Sequence, residues 1–174
     1  MANIYKWLSA EKSPRLLVEA VKLIGIKEVP GQGDNIEILK WAETLDLEKS
    51  YRKDDIPWCG LFMAIVCHNA GLKPVDNPLW ARNWQTFGTS QKTAMLGDIL
   101  VFVRNGGGHV GIYVGEDKTA YHVLGGNQSD MVCVTRIRKE RCMAIRRTVW
   151  KIAQPDNVRV IKLEATGAIS VNEA

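Results

Sequence analysis

The chain has little of what staples, ligates or anchors a protein. It holds only four cysteines and three histidines in 174 residues. Cys59, Cys67, Cys133 and Cys142 form no CxxC pair and no zinc-type arrangement with histidine. That argues against a structural metal site and sets the expectation of no metal and no cofactor. Cys67-His68 lacks a second pair of ligands, and nothing supports a disulfide between Cys133 and Cys142. No apolar stretch approaches the ~20 residues needed to span a bilayer, so stable membrane insertion is not expected. Near the first residue, Tyr5-Lys6-Trp7 and Glu11-Lys12 interrupt any leader-like pattern, and synthesis in the cytoplasm without a signal peptide is the expectation. The net charge is only +4. Lys and Arg are spread along the chain, except from Arg136 to Arg147, where they alternate with apolar residues. That pattern suits the solvated faces of strands better than a nucleic-acid stripe, and no nucleic-acid partner is expected. Neither internal repeats nor low-complexity segments occur.

What is present suits an ordinary globular chain. Hydrophobic residues make up 46% and charged residues 24%, enough for one domain with its own core. The first half reads as helical. Ser13-Pro14 starts a helix with Leu16, Leu17, Val18, Ala20, Val21 and Ile24 at helical spacing, ended by Gly25. A second helix is expected over Asn35 to Leu45, and a third from Cys59 to about Gly71. From Gly97 the pattern becomes that of an antiparallel sheet. Ile99 to Val103, His109 to Val114, Ala120 to Leu124, Met131 to Ile137 and Cys142 to Thr148 read as strands separated by turn residues. The fold class expected is α+β, with a single domain over 1–150. The extension 151–174 is expected to add one strand, Val158 to Leu163, and then a frayed tail.

Chemistry concentrates at Trp58-Cys59, which follows Asp54-Asp55-Ile56-Pro57 and opens the apolar run Leu61 to Val66. A cysteine in the first turn of a helix faces unpaired N–H groups and the positive dipole end, which is expected to lower its pKa. A nucleophile also needs a base. His68 lies nine residues along the same helix, roughly 13 Å away at helical rise. His122 falls in the middle of a strand, the place of a satisfied core histidine. His109 follows Gly106-Gly107-Gly108, which permit close approach of a substrate to the backbone, although a loose turn is the plainer reading of those glycines. If Gly115 to Lys118 forms the hairpin turn, His109 lies near Leu124, and a polar residue just beyond would hold the ring. Asn127 is the first choice, with Gln128 and Asp130 as alternatives. Turn chemistry alone also explains a Gly-Gly-Asn sequence.

Taken together, these segments resemble a known family. Trp58-Cys59, Gly97-Asp98-Ile99-Leu100-Val101-Phe102, Gly107-Gly108-His109-Val110-Gly111-Ile112-Tyr113-Val114-Gly115 and Val123-Leu124-Gly125-Gly126-Asn127-Gln128 are similar to the CHAP and NlpC-like papain-type cysteine peptidases. The likeness is greatest to the small phage and prophage wall hydrolases of that group, and it extends from about Leu16 to Arg147. The resemblance implies a papain-like α+β fold, with the cysteine helix packed on a central antiparallel sheet of about five to six strands. It implies a hydrolase that cuts an amide bond of peptidoglycan, as an N-acetylmuramoyl-L-alanine amidase or a stem-peptide endopeptidase of endolysin or virion-lysin type. Cys59 would be the nucleophile, His109 the general base and then acid, and Asn127 the orienting group. CHAP enzymes often carry glutamate two residues before that asparagine; here the position is Gly125.

Further expectations follow from the resemblance. Trp58 and Trp84, with Gly108, would contact substrate, Trp80 is a further candidate ring, and Arg82 and Arg104 would meet stem-peptide carboxylates. Core packing and solvated surface are the plainer readings of these tryptophans and arginines. The protein would act as a monomer on the cell wall or in the periplasm, after release through a partner pore (a holin), or as part of a virion. A papain-like enzyme acting on a protein substrate, an effector or a deamidase, is one alternative. A non-catalytic wall-binding or tail-assembly module of the same fold is the other.

Overall fold

A computed structural model describes residues 3–151, 153–165 and 167–171 of the chain. It is an α+β structure. Among the described residues, three α-helices and three short 3-10 segments accompany a seven-stranded mixed sheet. The helices are α1 (Arg15–Lys22), α2 (Ile36–Thr44) and α3 (Cys59–Asn69). α1 starts after Pro14 and buries Leu16, Leu17 and Ala20. α2 is capped by the Asn35 side chain, which accepts from the Glu37 N–H at 2.8 Å, satisfying a first-turn donor. α3 is apolar on every side and buried from Cys59 to Cys67, the pattern of a helix enclosed by its neighbours. It stops where Gly71 takes φ +72 and donates its N–H to the His68 carbonyl, a conformation that favours glycine.

The strands are β1 (Thr89–Ser90), β2 (Ile99–Arg104), β3 (Gly107–Glu116), β4 (Ala120–Gly125), β5 (Cys133–Arg138), β6 (Cys142–Arg147) and β7 (Ile169–Ser170). Their spatial order is β1-β6-β2-β3-β4-β5-β7. The central strands follow the expected antiparallel pattern, but the sheet is larger than the five to six strands expected, and it is mixed. β7 pairs parallel to β5, and β1 adds an edge to β6. Both are two-residue strands, too short to leave a periodic signal. The expected strand Val158 to Leu163 is instead a single parallel bridge between Lys162 and Glu116. That segment nevertheless binds to the sheet edge-on, the Ile161 carbonyl accepting from Glu116 and the Leu163 N–H donating to it. Residues 172–174 of the expected frayed tail lie outside the described residues.

Alternation along the strands divides the core. Ile99, Val101, Val110, Ile112, Val114 and Leu124 pack with the helices, whereas Leu100, Phe102, Tyr113, Val123 and Ile137 pack on the opposite face. All four cysteines are free thiols. β5 and β6, which carry Cys133 and Cys142, are separated by three strands, beyond the reach of a disulfide. Among the described residues no helix is long and apolar enough to cross a membrane.

A buried polar cluster ties the N-terminal segment to the sheet. His122 is fully buried between Tyr5 Oη (2.7 Å from Nδ1) and Asp117 Oδ2 (3.0 Å from Nε2). Arg136 donates to the same carboxylate at 2.8 Å. Burial lowers the His122 pKa, against the pull of Asp117. Burial also opposes ionisation of Asp117, but Arg136, the Thr119 N–H and His122 together hold its carboxyl well below the usual range. Both depressed values mean that the unfolded chain takes up protons first as pH falls. The His122 share of stability is therefore complete above about pH 6.5 and is lost below it, and the Asp117 share is lost below about pH 3.9. Urea unfolding at a series of pH values tests this. Stability should decline from about pH 7 to about pH 5, and the decline should be shallower in His122→Gln. A wild-type stability that is flat across that interval contradicts the assignment.

Candidate active site

The site forms where β4 parts from β3. Tyr113 exchanges both of its backbone bonds on the β2 side, donating to Asp98 and accepting from Gly97. Two-residue alternation therefore turns Ile112 and Val110 toward β4. The β3–β4 ladder reaches only as far as Ile112, opposite Leu124, leaving the Val110 N–H beyond its end. That N–H faces the sulfur of Cys59 and favours its charged form. The catalytic candidate at the start of α3 thus takes the place of a strand partner, against the residue that follows His109.

Approach of the helix to this edge depends on Gly126, and its approach to the segment 78–79 depends on Gly60. A Cβ on Gly126 would stand 2.5 Å from Phe62 Cβ and 2.7 Å from the Trp58 ring, and one on Gly60 would stand 2.4 Å from the Pro78 carbonyl. Such distances leave no room for a side chain. On the other side of Trp58, its indole N–H donates to Glu28 at 3.0 Å. The buried Asp54 accepts from the Val29 and Asn35 amides at 2.9 and 2.7 Å, fastening the loop 29–35 to the segment that leads into Cys59.

His109 is fully buried and pairs with Phe102 across β2–β3. Its Nε2 lies 3.0 Å from the Gln128 side-chain oxygen. The amide nitrogen of Gln128 donates to the carbonyls of Val123 and Cys133. Carbonyls accept only, so this pair fixes which end of the amide faces the ring. The oxygen must accept, Nε2 must carry the proton, and Nδ1 of the neutral imidazole is the basic nitrogen. The residue bonded to the ring is thus Gln128, the alternative in the sequence reading, rather than the first choice, Asn127. Asn127 is itself buried and takes φ +54, with Ser129 at +52 and Asp130 at +60. Three non-glycine residues in the left-handed region make a strained turn, which points Gln128 inward. A Cβ on Gly125 would come within 2.9 Å of the Gln128 oxygen and 3.2 Å of His109 Nε2. Gln128 therefore fills the volume that a side chain at 125 would need.

The hairpin register expected from the sequence is corrected by three positions. Leu124 faces Ile112, not His109. A bulge between Tyr113 and Gly115 adds a residue to β3, and Asp117 tightens the turn by accepting from the Thr119 and Ala120 amides. Gln128, beyond the end of β4, still reaches His109, because the left-handed turn around it carries its side chain to the ring.

A cleft of about 620 Å³ opens onto Cys59, lined also by Pro57, Trp80, Arg82, Arg104 and Gly108. Gly108 is part of this lining, and Arg82 crosses close to its Cα, 2.9 Å from where a Cβ would stand. The expectation for Trp58 and Trp84 is corrected. Both are fully buried, Trp58 against Trp41 and Trp84 with its N–H on the Pro78 carbonyl at 2.9 Å, so neither offers a face to a ligand. The exposed ring is Trp80, at 73%. His68 is exposed on α3, away from the cleft lining. Among the described residues no group of three or more His, Cys, Asp or Glu is placed to hold a metal ion.

The thiol itself departs from the expectation of a lowered pKa. Cys59 is 4% exposed, and burial pushes its pKa up. The Val110 N–H, the Arg104 charge and the Gly60 and Cys59 amides pull the other way without overcoming it. Loss of hydration outweighs the helix N-terminus because the sulfur is enclosed. Burial thus favours the protonated thiol at rest, and thiolate must form as the proton moves to a base. The chain matches no protein-family model and no curated protein. What the fold and cleft define is an α+β protein with a buried thiol facing the Val110 N–H and, at the preceding residue of the same strand, an imidazole held by Gln128. Alkylation of Cys59 by iodoacetamide, followed by peptide mass spectrometry, should show a rate that rises only above the ordinary thiol value of about 8.5. A rate already at its plateau by about pH 6 would reveal a preformed thiolate–imidazolium pair and contradict this assignment.

Proposed function

We propose that this protein is a papain-like cysteine hydrolase that cleaves an amide bond of peptidoglycan. The observation that carries the reading is the arrangement of Cys59, His109 and Gln128 near one strand edge, with Nδ1 of His109 as the basic nitrogen and Cys59 in the lining of an open cleft. The substrate class rests on the resemblance of Trp58-Cys59, the His109 strand and the Gly125-Gly126-Asn127-Gln128 segment to CHAP and NlpC-like wall hydrolases. In that family a glutamate often stands where this chain has Gly125, and here the Gln128 amide fills the corresponding space.

The mechanism follows from these groups. Cys59 attacks the amide carbonyl as its proton passes to His109 Nδ1, giving a tetrahedral oxyanion. The amides of Cys59 and Gly60 lie outside the helix ladder, whose first bond runs from Phe62 to Trp58, and they are the donors nearest the developing charge. His109 then protonates the leaving amine, and water hydrolyses the acyl-enzyme. Gln128 keeps Nε2 protonated throughout and stabilises the imidazolium, the part an orienting group plays in such a pair. In the cell the enzyme would reach the wall through a partner pore or within a virion, as a monomer.

Release of soluble fragments from purified peptidoglycan tests the reading. Cys59→Ala should abolish it, and His109→Ala should reduce it by about 100- to 10,000-fold. Gln128→Ala should lose more activity than Asn127→Ala, since it removes the bond to the ring. Mass determination of the fragments should show new amino groups and no new reducing ends. Undiminished release by Cys59→Ala would sink the proposal.

A further inference from the structure

The walls of the Cys59 cleft are cationic. Arg82 and Arg104 line it, and among the described residues no acidic side chain does. Both arginines are arranged around Gly107. Arg104 is its cross-strand partner at the end of β2, and Arg82 donates to its carbonyl from Nε at 3.1 Å and from Nη2 at 2.6 Å. That fork pins the Arg82 guanidinium to the cleft wall while leaving Nη1 unused, so little side-chain freedom remains to be lost on binding. Arg104 is half-buried and close enough to Cys59 to act on its charge. No carboxylate neutralises it among the described residues. Trp80, exposed on the same cleft, adds one apolar face.

We propose that the cleft selects substrates bearing a free carboxylate beside the scissile amide, with Arg104 as the anchor and Arg82 as a pre-positioned second donor. The inference rests on the hydrolase reading above and narrows it. Two guanidiniums and one ring beside a thiol suit a short acidic peptide. They do not suit a long polyanion, which requires a row of cations along its backbone. Guanidinium and carboxylate match in planar, charge-assisted geometry.

The experiment uses two synthetic stem-peptide fragments that differ in one group, a free α-carboxylate or its carboxamide beside the cleavable bond. The wild-type protein should cleave the carboxylate form about tenfold more efficiently in kcat/KM, and the gap should narrow as salt is raised. Arg104→Gln should remove most of that preference while still cleaving the carboxamide form, and Arg82→Gln should remove part of it. Because the readout is a ratio within each variant, a uniformly slower enzyme does not mimic the result. Equal cleavage of both forms by the wild type, or a preference kept in both arginine variants, overturns the inference and leaves the hydrolase reading standing. Calorimetry with Cys59→Ala separates the two claims. Tighter binding of the carboxylate form without cleavage by the wild type supports the cleft's selectivity and refutes the hydrolysis, while binding of neither form overturns both.

Discussion

The site depends on a single clamped amide. Gln128 gives both of its N–H bonds to the carbonyls of Val123 and Cys133 and is left with only an oxygen to offer His109. A buried amide with both donors satisfied cannot flip without leaving polar groups unpaired, at a cost of about 1–3 kcal/mol each. That cost sets the tautomer of His109, and the tautomer decides which nitrogen can take a proton. The strained turn through Asn127, Ser129 and Asp130 and the empty position at Gly125 both serve this one contact.

Around the clamp, the fold solves a problem of access. A thiol enclosed by α3 and the sheet is poorly solvated, and burial holds it protonated. Such a thiol is protected from adventitious oxidation and becomes a nucleophile only when its proton has somewhere to go. The cleft opens on the β2–β3 hairpin side, where Gly107 and Gly108 keep the wall low and the two arginines bring positive charge. The second buried histidine, His122, belongs to a different arrangement. Tyr5 and Asp117 saturate its ring outside the cleft lining, and Arg136, bonded to the same carboxylate, completes a cluster that joins the N-terminal segment to β4 and β5.

Much of this was legible in the sequence, for physical reasons that can be named. The apolar run after Cys59 and the alternation from Ile99 to Val114 reflect burial directly, so α3, β2 and β3 were visible. Cys59 and His109 stood out because one opened a helix and the other followed glycines. The register of β3 on β4 was not visible, since the bulge before Gly115 leaves no trace in composition. Choosing Gln128 over Asn127 required the direction of each side chain in a turn with left-handed residues. Trp58, Trp80 and Trp84 are alike in sequence, and only packing distinguishes the exposed ring from the two buried ones. The thiol's pKa failed for a similar reason: helix position is local, whereas desolvation is set by the whole fold. β7 and the Tyr5–His122 bond, 117 residues apart in sequence, depend on long-range contacts that no local pattern records.

Gln128 holds His109 with its proton on Nε2, and the proposed mechanism uses the Nδ1 so left as the base for Cys59. Long-range proton–nitrogen NMR of histidine-labelled protein reads the tautomer of each neutral ring directly. His109 should show a protonated Nε2 and an unprotonated Nδ1, with this preference weakened in Gln128→Ala. A His109 ring protonated on Nδ1 in the neutral state would contradict it.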